Sequence, residues 1–335
     1  MLTKRLKADE NGIEHAAEIL KKGGIVAIPT ETVYGLAASA YDENAVKKVF
    51  LAKGRPQDNP LIVHIADIDD LKTVARDIPD SAFAAAKRFW PGPLTMIFKR
   101  TDKIPAGVSA GLDTVAVRMP SDKTAREIIK KSVPLAAPSA NTSGRPSPTS
   151  AQYVLDDLDG KIDAVVMSGN CEVGVESTVI TLVTNPPRLL RPGAVTVEQL
   201  REIFPDITVD NAVLSEPKNG ERVASPGMKY KHYAPKTETY LVEGSSESFA
   251  NFVNSKENAA AVCFREEESK ITVPKLCYGT ASDEATLAHS VFSVLRSADN
   301  LGVQEIYVHA PSKSGVGLAV YNRLIRAAAF RVIKI

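Results

Sequence analysis

Lys53-Gly54-Arg55-Pro56 sets an ammonium and a guanidinium two residues apart on a glycine–proline loop, with Asn59-Pro60 just beyond. Arginine offers phosphate a planar fork and lysine a point charge, so the two can converge on one anion. Capping of a helix C-terminus by cations accounts for the same residues about as well. Arg145 and Arg191-Pro192-Gly193 add cations held near turns. Elsewhere, polar residues gather where short apolar runs stop. Residues 25–28 run into Thr30, Glu31, Thr32 and Tyr34; residues 61–63 into His64; residues 114–117 into Arg118; and residues 135–137 into Ser139, Asn141, Thr142 and Ser143. Any one cluster is ordinary turn chemistry. Their recurrence points to one site beyond the carboxyl ends of several strands, where open α/β sheets bind ligands. Such a hollow is rich in Lys, Arg, Ser, Thr and Asn, without paired carboxylates or a supported Ser/His/Asp signature. It suits phosphoryl or nucleotidyl transfer, in which positioning and charge stabilisation carry the catalysis.

Several familiar signatures fail. There is no G-x-x-x-x-G-K-[ST] loop. Gly315-Val316-Gly317 opens like a dinucleotide fingerprint, but Val320 stands where the third glycine belongs, so close packing at a helix start is the better reading. Gly107-Val108-Ser109-Ala110-Gly111 matches the nucleophile elbow, yet a proline-containing loop precedes it and an apolar run follows, the reverse of strand–turn–helix. The five histidines show no metal-ligand spacing, and no protein-held metal is expected.

The elements that must position these groups fall into two rhythms. Periodicity predicts strands over residues 25–28, 61–65, 94–98, 114–117, 135–137, 164–167 and 178–183. Helices are expected over 13–22, 42–51, 69–89 (as one or two), 122–131, after Ser150, and over 196–203. Residues 211–235 lose periodicity and carry Pro217, Asn219-Gly220, Ser225-Pro226-Gly227 and Ala234-Pro235, the marks of a linker. A simpler alternation follows: strands at 239–242, 259–264, 275–278 and 305–309, with helices at 246–253, 283–298 and 317–330. The expectation is an α/β protein. A catalytic domain over 1–210 with a twisted mixed sheet and an active-site hollow is joined by a linker or lid (211–235) to a smaller parallel, Rossmann-like domain over 236–335. A length of 335 residues fits two domains at roughly 150 residues each.

Composition narrows the classes further. Lys plus Arg number 41 against 40 Asp plus Glu, which excludes a polycationic nucleic-acid coat protein. Three cysteines without a C-x-x-C pair argue against a disulfide framework and for a reducing compartment, by default the cytoplasm. No apolar leader and no membrane-spanning run is present, so no membrane partner is expected.

Seven ordered motifs carry a resemblance. They are Pro29-Thr-Glu-Thr-Val-Tyr-Gly-Leu36; Lys53-Gly-Arg-Pro56 with Asn59-Pro-Leu61; Trp90-Pro-Gly-Pro-Leu-Thr95; Thr114-Val-Ala-Val-Arg-Met-Pro120; Pro138-Ser-Ala-Asn-Thr-Ser-Gly144 with Ser147-Pro-Thr149; Glu176-Ser-Thr-Val179; and Arg191-Pro-Gly193. Together they resemble the L-threonylcarbamoyladenylate synthase family. Residues 225–235 and the stretch Gly317-Leu-Ala-Val-Tyr-Asn-Arg323 resemble its longer, two-domain form. Ala37 and Thr181 depart from common family residues, without removing a group assigned to chemistry.

The resemblance implies that L-threonine, bicarbonate and ATP (with magnesium) give threonylcarbamoyl-AMP and pyrophosphate. The product would pass to separate transfer proteins that modify the adenosine beside the tRNA anticodon. It implies threonine binding by Thr32, His64, Arg118, Ser139 and Ser177, and ATP binding by Arg55, Asn59, Thr114, Asn141, Thr149, Arg191 and His232. Lys53 and Arg55 would stabilise charge on the phosphates, and Lys229 to Tyr233 would fold over the nucleotide as a lid. Two other readings compete: a duplex-RNA binder using Lys53, Arg55, Arg145 and Arg191 as a cationic surface, and a carbamoyl-transfer maturation enzyme, whose usual zinc-binding Cys motifs are missing.

Overall fold

Short apolar runs bounded by Gly, Pro and polar residues become the strands of the first domain. The computed structural model describes residues 2–215 and 233–335. In chain order the first domain comprises β1 (Lys4–Lys7), α1 (Glu10–Lys21), β2 (Val26–Ile28), β3 (Gly35–Ser39), α2 (Glu43–Lys53), β4 (Ile62–His64), α3 (Leu71–Val74), β5 (Ala75–Arg76), α4 (Asp80–Phe89) and β6 (Leu94–Arg100). It continues with α5 (Ala106–Ser109), β7 (Thr114–Arg118), α6 (Lys123–Lys131), β8 (Leu135–Ala136), α7 (Ala151–Leu158), β9 (Ala164–Met167), β10 (Thr178–Thr181), β11 (Arg188–Arg191), α8 (Val197–Arg201) and β12 (Thr208–Val209). The strands form one mixed sheet in the order β1-β9-β2-β3-β8-β4-β7-β6-β10-β11-β12, with β5 on β6.

Register decides which side chains meet. Parallel pairing of β4 with β7 sets His64 opposite Arg118, and antiparallel pairing of β6 with β7 sets Thr95 opposite the same arginine. These residues therefore share one end of the central strands.

Two departures from expectation shape this end. Residues 35–39, Gly-Leu-Ala-Ala-Ser, have little intrinsic strand preference, yet they form β3 between β2 and β8, both antiparallel to it. Small residues, all buried, let the neighbouring strands and α2 approach, and packing overrides propensity. The expected helical stretch 69–89 is interrupted by the edge strand β5, which pairs with β6.

Helix α2 starts at Asp42, whose carboxylate accepts from Asn44 N and Ala45 N at 2.9 and 3.2 Å. It stops at Gly54, left-handed at φ 60°, where Arg55 N donates to Phe50 O at 3.0 Å. A glycine takes this conformation without a Cβ penalty, and the turn sends Lys53 inward.

The second domain comprises β13 (Glu238–Glu243), α9 (Ser246–Asn254), β14 (Ala259–Cys263), β15 (Lys275–Cys277), α10 (Glu284–Ala298), β16 (Glu305–His309), α11 (Gly317–Ala327) and β17 (Val332–Lys334). Its sheet runs β15-β14-β16-β13-β17, parallel throughout. Helix α11 is buried on every face, including Asn322, Arg323 and Arg326. A helix buried all round lies inside a core, and here that core is shared. Val33 and Val175 join the second domain's apolar cluster, while Leu318 joins the first domain's.

The failed signatures have structural explanations. Gly317 N donates to Glu284 Oε2 at 2.7 Å, so the protein's own carboxylate occupies the start of α11. Ser109 is buried in the short α5, and its hydroxyl donates to the Ala106 carbonyl at 3.3 Å. Among the described residues no helix is long and apolar enough to cross a membrane.

Candidate active site

Thr32, Lys53, Arg55, His64, Arg118, Ser139, Asn141, Ser177 and Arg191 line a single hollow of about 740 Å³. Residues separated by up to 159 positions in sequence thus meet in one place, because β4, β7, β10 and β11 and the loops after β2 and β8 bring them to the same sheet end.

Arg118 anchors one side of the hollow. Its Nη1 donates to Thr32 Oγ1 at 2.9 Å and its Nε to the Gly92 carbonyl at 3.3 Å. Glu31 Oε1 lies 2.7 Å from Arg118 Nη2, a close charge contact without hydrogen-bond alignment. Both side chains are buried, so this contact replaces water for each. Thr32 Oγ1 in turn lies 2.9 Å from Thr30 Oγ1, which donates to the Val33 carbonyl at 2.6 Å.

His64 is also buried, and burial, aided by the Arg118 charge, pushes its pKa down to about 3. The carbonyls of Ile62 and Leu135 act the other way and lose. The ring is therefore neutral near pH 7, with Nδ1 donating to the Ile62 carbonyl at 3.2 Å.

Lys53 meets both the hollow and a neighbouring loop. It lines the hollow, but its side chain is only 1% exposed. Nζ donates to the carbonyls of Ser139 at 2.5 Å and Asn141 at 2.6 Å, with Asn141 Oδ1 at 3.5 Å. Burial first, then the Arg55 charge, holds its pKa well below the ordinary lysine value. These two contacts clamp the loop that carries Ser139 and Asn141. The end of α2 at Gly54 turns Lys53 inward, while Arg55 remains half-buried.

The clamped loop organises itself further. Ser139 Oγ donates to Asn141 Oδ1 at 2.5 Å, and Asn141 Nδ2 donates to the carbonyls of Thr142 and Arg145 at 2.8 and 2.9 Å. On the opposite wall, Arg191 donates through Nε to the Ser177 carbonyl at 3.0 Å and through Nη2 to Ser177 Oγ at 3.1 Å. Burial lowers the Arg191 pKa to about 10, which leaves it charged at neutral pH.

Three expected contacts do not line the hollow. Thr114 begins β7, opposite Lys99, while Arg118 ends it; the four steps along the strand separate them by roughly 13 Å. Thr149 is buried, and its carbonyl accepts from Cys171 N at 2.9 Å. Asn59 is buried next to the lining residue Pro60, and its Oδ1 accepts no hydrogen bond among the described residues. His232, with Lys229, Tyr230 and Lys231, lies outside the described residues, and so does the lid built on them. Tyr233, next in sequence, lines the hollow and packs on Phe292 of α10 with ring centroids 5.2 Å apart.

Sequence reasoning assigned no role to Glu176, which also lines the hollow. Its Oε1 accepts from Ser147 Oγ at 2.5 Å and its Oε2 from Arg323 Nε at 2.7 Å. Burial works to raise its pKa, but Arg323 and Arg191 outweigh it and hold the carboxyl below the ordinary range. No sequence pattern joins residues 176 and 323; only the packing of α11 does.

Of the cations proposed for an RNA-binding face, Arg55 is half-buried. Lys53 and Arg191 are buried, and Arg145 Nη1 is 2.9 Å from the Asp157 carboxylate.

Comparisons agree with this geometry. A family model described as "Telomere recombination" matches residues 18–193, and one described as "Threonylcarbamoyl-AMP synthase, C-terminal domain" matches residues 195–329. The chain is 44% identical to the threonylcarbamoyl-AMP synthase of Pyrococcus abyssi, covering 99% of this chain and 98% of that protein. It is 43% identical to that of Bacillus subtilis, covering 99% and 97%. The crystal structure of P. abyssi Sua5 complexed with L-threonine superposes at a TM-score of 0.90 with 40% identity, over 100% of both chains. With both domains matched in sequence and in structure, the chain belongs to the threonylcarbamoyl-AMP synthase family of enzymes, in its two-domain form.

Proposed function

We propose that this chain converts L-threonine, bicarbonate and ATP to L-threonylcarbamoyladenylate and pyrophosphate. Separate transfer proteins then use the product to modify the adenosine beside the tRNA anticodon. One observation carries the reading: the hydroxyls of Thr32, Ser139 and Ser177 and the cations Arg55, Arg118 and Arg191 line one hollow.

The amino-acid end comprises Thr32, His64, Arg118, Ser139 and Ser177. The threonine carboxylate takes the guanidinium face of Arg118, in competition with Glu31. The Thr32 and Ser177 hydroxyls meet its polar groups, and a substrate lacking the hydroxyl leaves buried partners unpaired. Neutral His64 adds no charge that would repel the amine.

ATP occupies the part of the hollow lined by Arg55, Asn141 and Arg191, with buried Asn59 beside the lining residue Pro60. Lys53 acts through the loop that it clamps, and Thr114 and Thr149 carry no contact in this reading. Magnesium enters with ATP as part of that substrate and supplies charge neutralisation on the departing pyrophosphate.

The threonine amine attacks the carbon of bicarbonate-derived carbon dioxide and loses a proton, which gives a carbamate and releases water overall. A carbamate oxygen then attacks the α-phosphorus, the α–β bridging bond breaks, and pyrophosphate leaves. The hollow's contribution is to hold the two reactants in line and keep water from the carbamate. The test is pyrophosphate release from ATP with each substrate omitted in turn. Release that depends on both threonine and bicarbonate is expected, and release indifferent to threonine overturns the reading.

A further inference from the structure

Helix α11 of the second domain carries Arg323, 0% exposed, to the wall of the hollow. Nε donates to Glu176 Oε2 at 2.7 Å, Nη2 to the Glu176 carbonyl at 3.2 Å and Nη1 to the Pro192 carbonyl at 3.0 Å. Nη1 also meets Asn322 Oδ1 at 2.9 Å, which fixes the guanidinium plane from its own helix. Glu176 and Pro192 are the chain neighbours of Ser177 and Arg191. Those two residues are hydrogen-bonded to each other, and Ser177 Oγ lies 2.7 Å from Thr95 Oγ1 on β6. Arg323 itself does not line the hollow.

A guanidinium presents its donors in a rigid fork, so it fixes the separation of the three oxygens it holds. Here those oxygens belong to two backbone segments, one entering β10 and one leaving β11. A lysine at this place keeps the charge but offers one nitrogen, which cannot span both segments.

We propose that Arg323 is a positioning residue for the synthase reaction, acting from the second domain to set the spacing of Ser177 and Arg191 and hence of amino acid and nucleotide. This rests on the synthase reading of the hollow. It assigns the second domain a direct part in the chemistry through one side chain that touches neither substrate.

The test uses the full-length chain with three substitutions: Arg323→Lys, Arg323→Gln, and Arg326→Met as a comparison. Arg326 lies one turn along the same helix, and its Nη2 donates to the Ala212 carbonyl at 2.7 Å, away from the hollow's lining. Pyrophosphate release and thermal melting are measured on the same preparations. Arg323→Lys is expected to raise KM for threonine at least tenfold and to lower kcat, with a melting temperature close to the parent's. Arg326→Met is expected to lower the melting temperature while leaving KM within twofold. If Arg323→Lys does not fold, Arg323→Gln is read in the same way. A folded Arg323 variant with parental KM and kcat overturns the proposal. So do equal KM shifts in the Arg323 and Arg326 variants, which would reduce Arg323 to a general strut. Absence of threonine-dependent turnover in the parent instead removes the synthase reading, and this proposal with it.

Discussion

Burial decides what each ionisable side chain in the hollow can do. His64 falls to about 3 in the folded chain, whereas a free histidine titrates near 6.5. Between these values the unfolded chain binds a proton that the folded chain does not. The stability due to neutral His64 is therefore complete above about pH 6.5 and is lost as pH falls towards 3, by about 1.4 kcal/mol per pH unit. His64→Gln should flatten that slope by one proton, read from urea-unfolding midpoints at successive pH values. An identical slope in the variant would mean that the native ring takes up the proton. Arg118→Lys tests the other buried charge. Its fork serves Thr32, Glu31 and the Gly92 carbonyl together, and a point charge cannot. KM for threonine should rise tenfold or more, equivalent to about 1.4 kcal/mol, while KM for ATP changes little. A larger effect on ATP would place the amino acid elsewhere.

At the scale of elements, the residue 139–145 loop is held by a helix end. Lys53 reaches it only because α2 stops at Gly54. Lys53→Met should orphan the carbonyls of Ser139 and Asn141, each at a cost of about 1–3 kcal/mol. It should lower the melting temperature and weaken both substrates together, since Ser139, assigned to the amino acid, and Asn141, assigned to the nucleotide, sit on the one loop that Lys53 holds. A variant that loses ATP affinity alone would restore the direct phosphate role.

This loop also shows how far the sequence could be read. Strands such as β4, β7 and β9 were legible, because continuous apolar runs end at His64, Arg118 and Met167. The assembly of polar clusters into one site was legible from their repetition at strand ends. β3 was not, because Gly-Leu-Ala-Ala-Ser becomes a strand only between partners already in place. Nor was the inward turn of Lys53. Its spacing from Arg55 suits both a shared anion and a helix end, and only the backbone at Gly54 decides between them. Thr114 illustrates the opposite limit: a motif residue at the start of a strand lies a strand's length from the site at its end.

The two domains meet through contacts that are buried and charged as well as apolar. Asp157 accepts from Arg296 Nη1 and Nη2 at 3.2 and 2.9 Å, and the same carboxylate takes Arg145 at 2.9 Å and the Thr142 amide at 3.2 Å. One carboxylate thus joins α10 to the clamped loop, as Arg323 joins α11 to the opposite wall. Gly174 marks a close backbone approach between the domains. At φ 82° it occupies left-handed space, and an added Cβ would sit 2.4 Å from the Ala288 carbonyl oxygen and from His289 Cα. Neither obstacle is the end of a flexible side chain, so α10 itself must move. Gly174→Ala should therefore cost more than the ~1 kcal/mol typical of a single substitution. Because α10 carries Arg296 and Phe292, its displacement should also raise KM for both substrates. Calorimetry and pyrophosphate release on the same sample would read both effects. A variant that melts earlier yet keeps parental KM values would show that the hollow keeps its shape without the close seating of α10, and that the second domain contributes stability alone through this contact.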